Sequence, residues 1–130
     1  RGRGVETPVS IGQLLPTFLS LAGLPEHSDF EPIGDSLLAG GEEPEHTVVS
    51  EYTLGSIASW GLHCPDRLRM VRRDSWKLCY SLESDQEGLL FDLEKDPLEQ
   101  RNLFRTPDQR WRIAELKELA DAETGGGGVG

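Results

Sequence analysis

The sequence predicts an α+β domain: a small antiparallel sheet of about four strands, with an N-terminal helix and a C-terminal helix packed on it. Apolar residues recur at helical spacing only towards the two ends, from position 8 to 22 and from position 107 to 123. Between them lie four predicted strands, at 47–53, 68–73, 76–82 and 89–94. The first is rich in β-branched residues, and in the third Trp76, Leu78 and Tyr80 alternate onto one face. Short turns join the last three strands, which favours an antiparallel meander, and this order of elements is typical of the α+β class.

The first helix is predicted in the segment PVSIGQLLPTFLSLAGLP, with Thr7 as its N-cap and Pro8 at its first position. Gly23 is a good C-terminal stop. Pro16 removes one helical hydrogen bond, so a kink or a restart is expected there. The apolar positions cover more than one side of this helix: Ile11, Leu14, Leu15, Phe18, Leu19, Leu21 and Ala22.

The second helix is predicted to begin at a capping box formed by Thr106, Pro107 and Gln109, and to end near Glu123. The segment TGGGGVG follows it, and a glycine-rich run of this kind is typical of a flexible tail. We therefore expect one domain over residues 1–123 and a tail over 124–130.

Length, charge and cysteine usage limit the classes of function. A chain of 130 residues suits one domain. Its net charge of -10 argues against nucleic-acid binding, which requires a positive field. No run approaches the roughly 20 apolar residues of a membrane helix, and no signal peptide is visible. With only two cysteines, Cys64 and Cys79, we expect reduced thiols, which favours a cytoplasmic location.

Few residues offer catalytic chemistry. The three histidines lie at positions without metal-ligand spacing, so no structural metal is expected. The arginines at 67, 69, 72 and 73 form either an anion site or a sheet surface paired with the many acidic residues. The tryptophans at 60, 76 and 111 form either a binding platform or part of a small core or an interface.

The segment LFDLEKDPLEQRNL, from residue 90 to 103, resembles the C-terminal signature of the sulfatase family. In that signature a strand ending in Tyr/Phe-Asp-Leu is followed by Asp-Pro, a Glu and Asn-Leu. Three other segments agree with the family in the same order. They are PVSIGQLLPTFLSLAGLP, IGDSLLAG (with Ile33 where Asp is usual) and the pair VVSEYT and RMVRRDSWKL. The last of these leans towards the choline-sulfatase-like or sulfamidase-like branch.

The resemblance implies an alkaline-phosphatase-like enzyme that hydrolyses sulfuric esters. Such enzymes use a formylglycine, made from a Cys/Ser-x-Pro-x-Arg motif, and a divalent metal, typically calcium. Both belong to the larger N-terminal part. The segment CPDR at Cys64 is not that motif, because no residue separates the cysteine from the proline and Leu68 stands at the arginine position. The chain therefore resembles a C-terminal subdomain without catalytic residues or cofactors of its own, and is expected to be inactive alone.

In the family this subdomain helps to shape the substrate pocket, which suggests Glu51, Tyr52 and His63 as substrate-facing residues. For Glu51, a carboxylate at a strand end that simply faces solvent is the alternative. Leu15, Phe18 and Leu19 are expected at an interface, because a four-stranded sheet cannot cover the whole first helix. The partner would be the catalytic N-terminal sulfatase domain or another copy of the chain. The alternative function is a stand-alone interaction or oligomerisation module derived from this subdomain.

Overall fold

A computed structural model describes residues 8–25, 47–53 and 67–125. The chain divides into two compact units, Arg1–His46 and Thr47–Gly130, and each is described by itself. In the described residues, no helix is both long and apolar enough to cross a membrane.

The first unit contains a 3-10 turn, Ile11–Gln13, that leads directly into helix α1, Leu14–Ala22. Ser10 caps the turn through a capping box: its Oγ accepts from the Gly12 N–H at 3.2 Å, and its own N–H donates to the Gln13 Oε1 at 2.8 Å. The prediction of Thr7 as the N-cap and Pro8 as the first helical residue is therefore wrong. The capping pattern is Ser-x-x-Gln at Ser10, three residues after Thr7. In it the Ser10 and Gln13 side chains each accept from one backbone N–H group.

Pro16 is the third residue of α1, in the first turn, where backbone N–H groups have no partner within the helix. The helix is not interrupted at Pro16, because α1 continues through this residue; the change from 3-10 turn to α-helix lies between Gln13 and Leu14. Gly23 ends the helix as predicted, with a left-handed φ of 65° that favours glycine. Its N–H caps the Ser20 carbonyl at 3.2 Å.

The second unit is built on one antiparallel sheet with the strand order β1-β2-β3-β4. The strands are β1 Thr47–Thr53, β2 Arg67–Arg73, β3 Trp76–Ser81 and β4 Gly88–Asp92. All four were predicted, within one or two residues at each end. The last strand stops at Asp92 because the carboxylate of that residue accepts from the Glu94 N–H and its carbonyl from Asp96, which turns the chain away.

Helix α2, Arg110–Glu123, packs on one face of the sheet after a 3-10 turn at Pro107–Gln109. Val71, Leu78 and Leu90 lie side by side on that face, because Leu78 pairs with Val71 of β2 and with Leu90 of β4. With Tyr80, Leu116 and Ala120 they form the buried core. Thr106 precedes the turn, but its side chain makes no capping hydrogen bond, so the predicted capping box is wrong.

The segment after β4 closes the outer edge of that strand. The Asn102 Oδ1 accepts from the backbone N–H of Leu90 at 3.0 Å and of Phe104 at 2.9 Å, while Nδ2 donates to the Gly88 carbonyl at 3.1 Å. The Leu103 N–H also donates to the Leu90 carbonyl at 2.8 Å. Phe104 lies so close to Gly88 that a Cβ there would come within 2.3 Å of its ring. The Asn-Leu pair is thus used as strand-edge structure.

The prediction of an α+β fold, with one four-stranded antiparallel sheet and a helix at each end, is confirmed. The packing of α2 on the sheet is observed directly in the core. The packing of the first helix stays a prediction.

Candidate functional site

Glu51 lies opposite Arg69 in the pairing of β1 with β2, and the two side chains form an ion pair. The Arg69 Nε donates to the Glu51 Oε1 at 2.7 Å. The Glu51 side chain remains 40% exposed, whereas Arg69 is only 10% exposed. Glu51 is therefore a partly solvated carboxylate whose orientation is fixed by a buried guanidinium.

Arg69 also joins two further parts of the unit, α2 and β3, to β2. Its Nη1 donates to the Asp121 Oδ1 at 2.6 Å, near the end of α2, and approaches the Tyr80 hydroxyl of β3 at 3.4 Å. Burial alone would lower the pKa of the guanidinium, but the hydrogen bonds to Tyr80, Glu51 and Asp121 outweigh it and raise that pKa. Arg69 therefore stays charged and holds two carboxylates on one side of the sheet.

Tyr52 follows Glu51 directly, so it points to the opposite face of the sheet from the Arg69 cluster. Its side chain is 55% exposed. Successive strand residues cannot line one pocket on one face, so Glu51 and Tyr52 are not brought together. His63, the third predicted substrate-facing residue, lies outside the described residues.

The other arginines of the basic cluster are divided between the two faces. The Arg73 Nη1 donates to the Thr47 Oγ1 at 2.9 Å on the face that carries α2. The Arg72 Nε donates to the Asp74 carbonyl at 3.2 Å on the opposite face. The sheet therefore separates these cations, and the cluster seen in the sequence is not one anion site in the described structure.

Trp76, Arg112 and Trp111 form a cation–π stack that the sequence analysis did not predict. The Arg112 guanidinium carbon lies 5.0 Å from the Trp76 ring centroid and 4.2 Å from the Trp111 ring centroid. The Arg112 Nη1 also donates to the Glu115 Oε2 at 2.6 Å. Trp111 itself remains 59% exposed. The signal available in the sequence was the adjacency of Trp111 and Arg112 at a predicted helix start, with Trp76 on the inward face of a strand.

The first helix carries the residues predicted at an interface. Leu15 is 51% exposed and Phe18 is 61% exposed, while Leu19 is half-buried. Other large apolar side chains of this segment are exposed as well: Val9, Ile11, Leu14, Leu21 and Leu24. Removing one such side chain from water is worth about 1.5–3 kcal/mol, so this surface has a strong tendency to associate.

Metal-binding and nucleophilic chemistry are sparse in the part of the chain that the structure describes. Residues 8–25, 47–53 and 67–125 contain no group of three or more His, Cys, Asp or Glu side chains that could hold a metal ion. The Cys79 thiol is free, and burial raises its pKa, which disfavours the reactive thiolate. Cys64 lies outside the described residues.

Comparison with known proteins gives matches only among solved structures. No family model matches the sequence, and no curated protein matches it. A 2-O GAG sulfatase matches with 31% identity and a TM-score of 0.64, over 84% of this chain and 23% of that one. A sulfatase from Bacteroides thetaiotaomicron gives the same values.

The phosphonate monoester hydrolase of Agrobacterium radiobacter matches with 24% identity and a TM-score of 0.63, over 85% of this chain and 24% of that one. At that identity the likeness shows the fold alone. The chain spans about a quarter of the length of the solved enzymes it matches. Its structural neighbours are thus sulfatases and a phosphonate hydrolase of the alkaline-phosphatase-like superfamily, and it resembles one part of them.

Proposed function

We propose that the chain is the C-terminal portion of a sulfatase-type hydrolase, which hydrolyses sulfuric esters in its full-length form. One observation carries the proposal: the chain is similar over 84% of its length to a sulfatase of which it covers 23%. The use of residues 88–104 as strand-edge structure supports it, because the signature resembling the sulfatase family lies in that segment. The segment RMVRRDSWKL favours the choline-sulfatase-like or sulfamidase-like branch.

In this proposal the formylglycine and the divalent metal, calcium by family resemblance, lie in the rest of the parent enzyme. The described residues do not fit a metal, because they contain no cluster of three suitable side chains. The proposal therefore assigns no step of the reaction to the described residues, and we expect the 130-residue chain to be inactive by itself. Its role is to complete the fold and to line the approach to the site. Glu51, Tyr52 and His63 are the candidate substrate-facing residues, but Glu51 and Tyr52 lie on opposite faces of the sheet, so only one of these two can face the substrate.

The exposed apolar surface of α1 favours a protein partner. In the parent enzyme this surface, with Leu15, Phe18 and Leu19, packs against the catalytic part. The same surface supports the second candidate function, a stand-alone interaction or oligomerisation module that has kept the subdomain without catalysis. In that case a second copy of the chain covers α1.

The genomic DNA upstream of the codon for Arg1 separates the two functions. An in-frame Cys/Ser-x-Pro-x-Arg motif supports the hydrolase, and a start codon close to Arg1 supports the module. The longest reading frame should then be expressed and assayed with a chromogenic aryl sulfate, beside the 130-residue chain. We expect turnover only by the longer protein. Turnover by the short chain that is abolished in Cys64→Ala would overturn the proposal.

A further inference from the structure

The beginning of α2 combines an exposed aromatic ring with a fixed cation. Trp111 is 59% exposed, although a ring of this size would gain from burial. Arg112 is held between Trp111 and Trp76 and by Glu115, with 24% of its side chain still in solvent. A guanidinium positioned in this way loses little further freedom when it binds an anion, and its planar fork suits sulfate and carboxylate groups.

Two buried polar atoms beside this stack have no hydrogen-bond partner among the described residues: the Gln109 Oε1 and the Arg112 Nε. They are an acceptor on the last residue of the 3-10 turn and a donor in the first turn of α2. A hydroxyl both donates and accepts, so it can satisfy either atom. Buried groups of this kind require a partner, because leaving them unpaired is costly.

The segment that leads into the stack is locally basic, although Glu115 lies against Arg112. Residues 101–112 contain four arginines and one aspartate, a net charge of +3 (4 − 1), in a chain with a net charge of -10. Arg101, Arg105 and Arg110 are exposed. Clustered surface cations attract anionic ligands over roughly a Debye length, about 8–10 Å.

We infer that the beginning of α2 is a subsite for an anionic saccharide. The C–H face of a sugar ring stacks on Trp111, and a sulfate or carboxylate substituent binds the exposed part of the Arg112 guanidinium. A sugar hydroxyl reaches the buried Gln109 Oε1 only after that amide turns outward, which would give the oxygen its missing partner. The choice of a sulfated sugar rests on the proposed function, whereas the aromatic and cationic geometry does not depend on it.

The test is a titration of the ¹⁵N-labelled 130-residue chain with D-glucosamine-2-N,6-O-disulfate, and separately with unsulfated D-glucosamine. The indole N–H signal of Trp111 is identified by its loss in Trp111→Ala. We expect that signal to move with the disulfate at lower concentrations than with glucosamine. Trp111→Ala and Arg112→Gln should each weaken binding of the disulfate by about tenfold, followed through the backbone amides of α2.

Arg101→Gln is the matched control, because it removes the same charge from the same segment but lies outside the stack. It should change affinity by less than about twofold, through screened electrostatics alone. Trp111→Ala keeps the test decisive if Arg112→Gln fails to fold, since it removes only an exposed ring.

Three results would overturn the inference: an unmoved Trp111 signal, unchanged affinity in Trp111→Ala, or equal losses in Arg101→Gln and Arg112→Gln. If the parent chain binds no sugar and Trp111→Ala has a lower molecular mass in solution than the parent chain, the stack is a contact between protein chains instead. The upstream reading frame tests the proposed hydrolase independently of this titration, so the two failures are distinguishable.

Discussion

Asn102 shows how one side chain can take the place of a strand. Its amide supplies an acceptor and a donor in the geometry of a peptide group, and it bonds Leu90, Phe104 and Gly88. We expect Asn102→Ala to lower the free energy of unfolding by about 1–3 kcal/mol, because the Leu90 N–H then loses its acceptor. Urea denaturation of both proteins measures the difference.

Gln100→Ala is the control for Asn102→Ala, since Gln100 is an exposed side chain in the same turn. Its effect should stay within about 0.5 kcal/mol. Equal effects of the two substitutions would show that the Asn102 amide contributes nothing specific to the strand edge.

The carboxyl group of Asp92 makes the stability of the fold depend on pH. The hydrogen bond from the Lys95 Nζ, at 2.7 Å, lowers the pKa of this buried carboxyl, and burial opposes the shift only in part. A lowered folded-state pKa means that the contribution to stability is present above the unfolded value of about 3.9 and is lost as pH falls through the folded value. The urea concentration at the unfolding midpoint should therefore decrease when the pH is lowered below about 4.

Asp92→Asn should reduce the loss of stability at acid pH. The measurement is the urea midpoint at several pH values between neutral pH and about pH 3. Glu83→Gln, at an exposed carboxylate, should leave the slope close to that of the parent chain. A slope that is unchanged in Asp92→Asn would show that other carboxyls account for the acid sensitivity.

Arg69 is the point at which separate elements of the second unit meet. It lies on β2 and bonds Glu51 on β1, Tyr80 on β3 and Asp121 on α2. A lysine keeps the charge but cannot present several fixed N–H donors. We expect Arg69→Lys to cost about 1–3 kcal/mol of unfolding free energy and to speed amide exchange in the last turn of α2.

Arg67→Lys is the matched control, because Arg67 lies on the same strand and is exposed. Its cost should be below about 0.5 kcal/mol. If both lysine variants are equally stable, the fork of hydrogen bonds around Arg69 does not fasten α2 to the sheet.

Elements of regular secondary structure were largely predictable from the sequence, whereas their contacts were not. Alternation and helical spacing depend on neighbouring residues, so they indicated all four strands and both helices. The start of α1 was assigned to Thr7 because two capping patterns, Thr-Pro and Ser-x-x-Gln, lie three residues apart. The Arg69 cluster and the Arg112 stack depend on strand register and on how α2 lies over the sheet, which a single sequence does not specify.

At the scale of the whole molecule, the apolar surface of α1 is the feature that most needs a partner. For the 130-residue chain alone, we predict a homo-oligomer, or a weakly stable monomer that binds apolar dyes, with α1 at the contact. Leu15→Glu or Leu19→Glu should dissociate the oligomer and leave the sheet folded, because a carboxylate is costly to bury in such a contact. Light scattering measures the oligomeric state, dye binding measures the exposed apolar surface, and circular dichroism measures whether the sheet stays folded.

Ser20→Glu is the control, since it adds the same charge at an exposed polar position of the same helix. It should leave the molecular mass unchanged. A compact monomer of the parent chain without dye binding would contradict the prediction, and would mean that the chain itself covers more of α1 than its surface exposure indicates.

The hydrogen bonds of the Asn102 amide also block the addition of further strands at the β4 edge of the sheet. Along β4 the outward backbone groups of Gly88 and Leu90 are occupied, so another molecule cannot add a strand there. Within the described residues, β1 has a paired neighbour on one side only, β2. Edge strands with free backbone groups are templates for aggregation. Among the described strands, fibrils would therefore extend from β1, and Ser50→Lys would place a charge on that edge to oppose them.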